Sequence, residues 1–182
     1  MATLAACADF KTQKGTAPTP RAALESISHW GLSGKLGVRH EAEGFSATLE
    51  WQQNSDAYQI DLAGPFRAGG VKLRGDRSGV ELATQTQTLF ASNPVQLMQQ
   101  ELGWALPVDG AGYWVRGLAR PGAPVSESER DATGMLTAMH QDGWHIEILG
   151  WVTHQGYELP SRLKFSNGET VVKLVVRQWR LL

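Results

Sequence analysis

The chain has 182 residues, of which 42% are apolar, and a formal net charge of −1. That length supports one domain with a hydrophobic core, and the near-neutral charge lacks the electrostatic footprint of a nucleic-acid binder. No run approaches the ~20 apolar residues that span a bilayer as a helix, and the single cysteine, Cys7, excludes an internal disulfide.

The first element is a leader. "LAAC", residues 4–7, resembles the lipobox of bacterial lipoproteins, in which Leu and small residues precede a cysteine that is lipidated. Residues 1–6 then read as the remnant of a signal peptide, short of the basic n-region and 7–15-residue apolar stretch of a complete one. Residues 7–18 carry Pro and Gly, are polar and lack an apolar period, as expected of a flexible, lipid-anchored tether. Residues 19–182 are expected to form a single domain.

Ala23, Ile27 and Trp30 recur at helical spacing behind Thr19 and Pro20, which predicts a helix over about 19–30. Period-two alternation follows. Leu32, Gly34, Leu36 and Val38 share one face, as do Phe45, Ala47, Leu49 and Trp51, and then Tyr58, Ile60 and Leu62. Half-buried antiparallel strands explain this pattern. "VKLRG" and "VELAT" continue it, giving a meander of about five strands. Between the third and fourth strands stands "LAGPFRAGG", where a large apolar ring, Phe66, sits inside Pro/Gly turn punctuation.

The middle changes period. Val95, Met98 and Leu102 mark a helix with Asn93 as N-cap and Gly103 as stop. A second short helix places Ala111, Trp114, Val115 and Leu118 on one side, although Gly110 and Gly112 lower its propensity. "ARPGAPVSESER" reads as a loop. Strands then return: "TGMLTAMH", a "QDGW" turn, and "HIEILGWV" with Ile146, Ile148 and Val152 on one face. A hairpin turning at Asn167–Gly168 closes the chain, with Val172, Leu174 and Val176 on one side. The fold class is α+β. About 10–11 antiparallel strands should curl into an open, incomplete barrel covered by a short helical lid.

The chemistry of catalysis is missing from the pattern. His29, His40, His140, His145 and His154 form no H-E-x-x-H or Cys/His ligand cluster, so no metal or other cofactor is expected. There is no G-x-S-x-G elbow and no phosphate-binding loop. The carboxylates fall mostly in predicted turns. The chain reads as a binding protein, not an enzyme.

Several segments occur together in order: "WGLSGKLGV", "ATLEWQQNSDAYQIDLAGPF", "LGWALPVDGAGYWVRGL", "QDGW", "LPSRLKF" and "VKLVVRQW". This combination resembles the LolB family across almost the whole chain after the tether. The resemblance implies a lipoprotein anchored at the periplasmic face of the outer membrane through Cys7. It would be a monomer that accepts acylated lipoprotein cargo from the LolA carrier in an apolar cavity and passes it to outer-membrane phospholipid. From the strand faces, the acyl-chain cavity is expected to be walled by Leu36, Val38, Leu49, Trp51, Tyr58, Ile60, Leu62, Met98, Trp114, Ile146, Ile148 and Leu174. The resemblance also implies a membrane-insertion loop at Pro65, Phe66 and Arg67. A soluble periplasmic carrier of hydrophobic ligands, LolA-like or lipocalin-like, is the alternative, and a purely structural envelope protein is a third.

Overall fold

The computed structural model describes residues 20–64 and 70–182. Among the described residues eleven strands and three helices are found, and the strands form one antiparallel sheet in which the first and the last are neighbours. The first strand, β1 (His29–His40), lies at the centre of the sheet. On one side follow β2 (Glu43–Asn54), β3 (Ala57–Ala63), β4 (Gly70–Asp76), β5 (Gly79–Ala83) and the edge strand β6 (Thr88–Ala91). On the other side of β1 the last strand, β11 (Thr170–Leu181), pairs directly with it. Beyond β11 come β10 (Tyr157–Ser166), β9 (Trp144–His154), β8 (Leu136–Gln141) and the second edge, β7 (Val125–Arg130). Among the described residues the two edges do not pair, so the sheet is open.

Period-two alternation becomes continuous rows of apolar side chains across the inner face. Leu82, Leu73, Ile60, Trp51, Leu32 and Trp179 stand in register across six strands. Two rows on, Ala47, Leu36, Leu174, Leu163 and Ile148 do the same. All eleven of these side chains are buried. Register is pinned because a one-residue slip would turn a whole strand inside out.

Three short helices cover this face: α1 (Arg21–Glu25), α2 (Pro94–Leu102) and α3 (Val108–Trp114). In α2 the Asn93 side chain accepts from the backbone N–H groups of Val95 and Gln96, and Gly103 ends the helix at φ 77°. In α3, Gly110 is packed too closely to carry a side chain, whereas a Cβ on Gly112 would meet Trp51 at an ordinary 3.8 Å. A Cβ on Gly110 would stand 2.7 Å from the Trp114 ring.

Five local expectations are corrected by the structure. The helix expected over 19–30 ends at Glu25, and Thr19 lies outside the described residues. Trp30 instead enters β1, where its ring meets Trp51 at 5.3 Å and Trp179 at 5.8 Å. The stretch read as a loop contains β7, a fully exposed edge strand that has no buried face to alternate with. β6 was missed because it is only four residues long. On α2, Leu97 and Met98 are buried while Val95 is 39% exposed, so the helix is rotated from the expected stripe. Val152 is also exposed, near the register shift that β10 introduces between Pro160 and Arg162.

Candidate functional site

Between the inner face of the sheet and the helical layer lies a cavity walled only by apolar side chains. Leu36, Leu49, Trp51, Ile60, Leu62, Leu73, Phe165 and Leu174 form the sheet side. Met98, Trp104, Leu106, Val108 and Val115 close it from α2, the connecting segment 103–107 and α3. The free volume is about 40 Å³. Pockets for drug-sized ligands run to ~300–1,000 Å³, so a long apolar ligand must enlarge this space. A larger hollow of about 970 Å³ is open to solvent and lined partly by Arg74, Asp76, Glu81 and Arg180, which suits water better than hydrocarbon.

The two helices above the cavity are held very differently. Trp114 of α3 donates its indole N–H to the Gln141 side-chain oxygen at 2.8 Å. Gln141 is 2% exposed, and it also accepts from the Arg120 N–H and donates to the carbonyls of Arg120 and Ala123. Arg116, buried, donates to the carbonyls of Gly112, Leu24 and Ile27, which ties α3 to the end of α1. Its guanidinium stacks over Trp30 and Tyr113, and burial pulls its pKa below the usual arginine value. Arg120 completes the set with a two-pronged pair to Asp142. By contrast, α2 meets the sheet through Leu97 and Met98 and a surface hydrogen bond from Gln87 to Glu101. The helical layer therefore has one fixed wall and one weakly held wall.

Of the residues expected to wall a cavity, Leu36, Leu49, Trp51, Ile60, Leu62, Met98 and Leu174 border this one. Val38, Tyr58, Trp114, Ile146 and Ile148 do not, although all five are buried. The reason is occupancy. Trp114 packs against Phe165 at 6.1 Å and Trp144 at 6.4 Å and fills the space above that part of the sheet. Ile148 lies under the turn at Gly117, where an added Cβ would stand 3.6 Å from its Cδ1. Tyr58 lies over Gly75 at the polar end, where burial, then Asp109 and Asp76, push its phenol up to about 12. Leu73 and Phe165 were readable from alternation but not singled out. Trp104 and Leu106 lie between helices, where no period could mark them. Cys7, Pro65, Phe66 and Arg67 lie outside the described residues. β3 ends at Ala63 and β4 begins at Gly70. Leu62 and Val71 are paired across these two strand ends, and Leu62 borders the cavity.

Residues 28–179 match the sequence profile of the family described as "Outer membrane lipoprotein LolB". An outer-membrane lipoprotein LolB of Pseudomonas putida F1 is 36% identical over 189 aligned positions, covering 99% of this chain and 92% of that one. One from Chromohalobacter salexigens is 38% identical over 159, covering 87% and 74%. Among solved structures, a LolA superfamily protein from Nitrosomonas europaea superposes with a TM-score of 0.54 at 8% identity, over 91% of this chain and 94% of its own. A DUF1329 family protein from Desulfovibrio piger gives 0.54 at 4% identity, over 88% of each chain. These last two likenesses concern the fold alone.

Proposed function

Because the chain belongs to the LolB family of outer-membrane lipoproteins, we propose that it takes the acyl chains of a lipoprotein from the soluble carrier LolA and releases them into outer-membrane phospholipid. The observation that carries this reading is the wholly apolar cavity with a weakly held wall. Covering an acyl chain is worth ~0.8 kcal/mol per CH₂. The chains are thus held tightly in either protein or bilayer, and transfer is an exchange between similar environments. Such an exchange needs no bond making and no nucleotide, only a cavity that binds better than the carrier and less well than the membrane. The wall supplies large, non-directional contact through Trp51, Trp104 and Met98.

Entry requires the cavity to widen. α2 and the segment 103–107 are the parts to move, since α3 is held by Gln141, Arg116 and Arg120. In this reading Cys7 is the lipidated anchor, and the segment carrying Pro65, Phe66 and Arg67, joined to β3 and β4, is the part that meets lipid. A soluble-carrier reading is not favoured, because the relatives are named outer-membrane lipoproteins. The test is transfer of a labelled lipoprotein from purified LolA to this protein, and separately from this protein to liposomes. Transfer in both steps is expected. A protein that takes no cargo from loaded LolA sinks the proposal.

A further inference from the structure

The charges of this protein are segregated. β1 and β11, paired at the centre of the sheet, contain no carboxylate, and the one carboxylate of β10, Glu158, is buried. The same three strands carry seven Lys and Arg, none of them buried: Lys35 and Arg39 on β1, Lys173, Arg177 and Arg180 on β11, and Arg162 and Lys164 on β10. Of the 17 Lys and Arg in the chain these are seven, whereas only one of its 18 Asp and Glu lies on these strands. Alternation with the buried residues of the inner face places the cations on the outer one. Among the described residues only two of them have a carboxylate partner, Arg180 with Glu50 and Lys164 with Glu147. Register brings like charges together. Lys173 stands directly opposite Lys164, and Arg39 lies one diagonal step from Lys173. Like charges so placed weaken a sheet, so the arrangement is a cost to the fold. Two apolar side chains sit among the cations, Leu149 at 52% and Val175 at 46% exposed, and Val175 lies directly between Lys35 and Arg162.

We infer that the outer face of β1, β11 and β10 docks on anionic phospholipid, and that it orients the domain on the membrane with the helical layer turned away from the bilayer. The inference rests on the transfer reading above and deepens it, by saying how the domain waits for cargo. Cations within a Debye length of a negative lipid surface, ~8–10 Å, are drawn to it. Lys and Arg reach that surface on long apolar stems, and the tips of Leu149 and Val175 enter the headgroup region between them. A broad face of one sign suits a fluid array of headgroups, which rearranges to meet each cation, better than a fixed set of carboxylates on a protein. With this face down, α2 and the segment 103–107 lie on the aqueous side, where a soluble carrier arrives. Each contact is weak and exchanges readily, so the face lifts when cargo is delivered.

The test is co-sedimentation of the unlipidated full chain with vesicles of phosphatidylcholine, alone or mixed with phosphatidylglycerol. Each basic side chain close to an anionic surface is worth about fivefold in partitioning, so the mixed vesicles should bind at least about tenfold more tightly. The difference should vanish in ~0.5 M salt, where screening cuts the reach of each charge to a few ångströms. Arg39→Gln, Lys173→Gln and Arg177→Gln together should also abolish it. Arg21→Gln, Arg77→Gln and Arg130→Gln together change the net charge equally, lie off this face and should keep it. Far-UV circular dichroism checks that both triple variants fold, and the lipid and salt comparisons need only the wild type. Equal wild-type binding to the two kinds of vesicle, or equal loss in the two triple variants, would overturn the inference. So would an outer-face variant that binds vesicles normally but accepts less cargo from LolA, which would assign the face to the carrier. Transfer of cargo is judged apart from this, by the two-step assay above, and stands if vesicle docking fails.

Discussion

Trp114 and Gln141 are 27 residues apart in sequence and joined by a 2.8 Å hydrogen bond that fastens α3 to the end of β8. The same amide holds the backbone of Arg120 and Ala123. One buried side chain therefore sets the position of the helix and of the connection that follows it. Gln141→Leu would leave two buried donors, the Trp114 indole N–H and the Arg120 N–H, without acceptors. At ~1–3 kcal/mol for each orphaned group, the variant should lose about 2–6 kcal/mol. Urea unfolding should show a lower midpoint with an unchanged slope. A loss below the error of that measurement would mean that α3 is not held here.

Gly110→Ala decides between two opposed effects. Replacing a helical glycine normally stabilises by ~0.5–1 kcal/mol. Here the new methyl would meet the Trp114 ring at 2.7 Å, and that ring is locked by Gln141 and by packing on Phe165. Overpacking of this kind costs ~1–3 kcal/mol, so the net effect should be destabilising. A raised melting temperature would show that Trp114 can shift.

Tyr58 should titrate late. Burial first, then Asp109 and Asp76, raise its pKa from 10.0 to about 12. A folded-state value above the unfolded one means that the native protein holds the proton longer. This stabilisation is complete below pH 10 and is lost as pH rises towards 12. Phenolate absorbance in the folded protein should show one of the three tyrosines ionising near 12. Tyr58→Phe should remove that late step, and a Tyr58→Phe protein that retains it would overturn the assignment.

Phe66→Glu should leave cargo acceptance from LolA intact and block delivery to liposomes. Burying one Phe side chain is worth ~1.5–3 kcal/mol, which biases a brief lipid encounter by roughly ten- to a hundredfold. Phe66→Leu should deliver nearly as well as wild type, since apolar area is what the encounter needs. Delivery by Phe66→Glu at the wild-type rate would remove Phe66 from this role. Loss of handover from LolA as well would assign it to the carrier interface.

Cys7→Ala in the full-length precursor should move the protein from the membrane to the soluble fraction. Stable anchoring needs more than one acyl chain or a second signal, and no helix among the described residues is long and apolar enough to cross a membrane. A variant that fractionates with membranes as wild type does would sink the anchor.

Alternation alone made the sheet legible. Leu36, Leu49, Trp51, Ile60, Leu62 and Leu174 could be placed on the inner face because a strand's side chains must alternate and only one face of this sheet is buried. The caps of α2 were legible for a similar reason, since Asn93 and Gly103 act on backbone groups within a few residues. The roles proposed for Cys7 and Phe66 rest on resemblance to a family, not on local physics. Tertiary structure alone decided which part of the inner face stays hollow. Trp114 packs on Phe165 and Trp144 with its N–H held by Gln141 from a distant strand, and no local pattern encodes that meeting. Trp104 reaches the cavity from an aperiodic segment, which no local period could mark. The edge strand β7 escaped reading because an edge buries nothing and so writes no hydrophobic period into the chain.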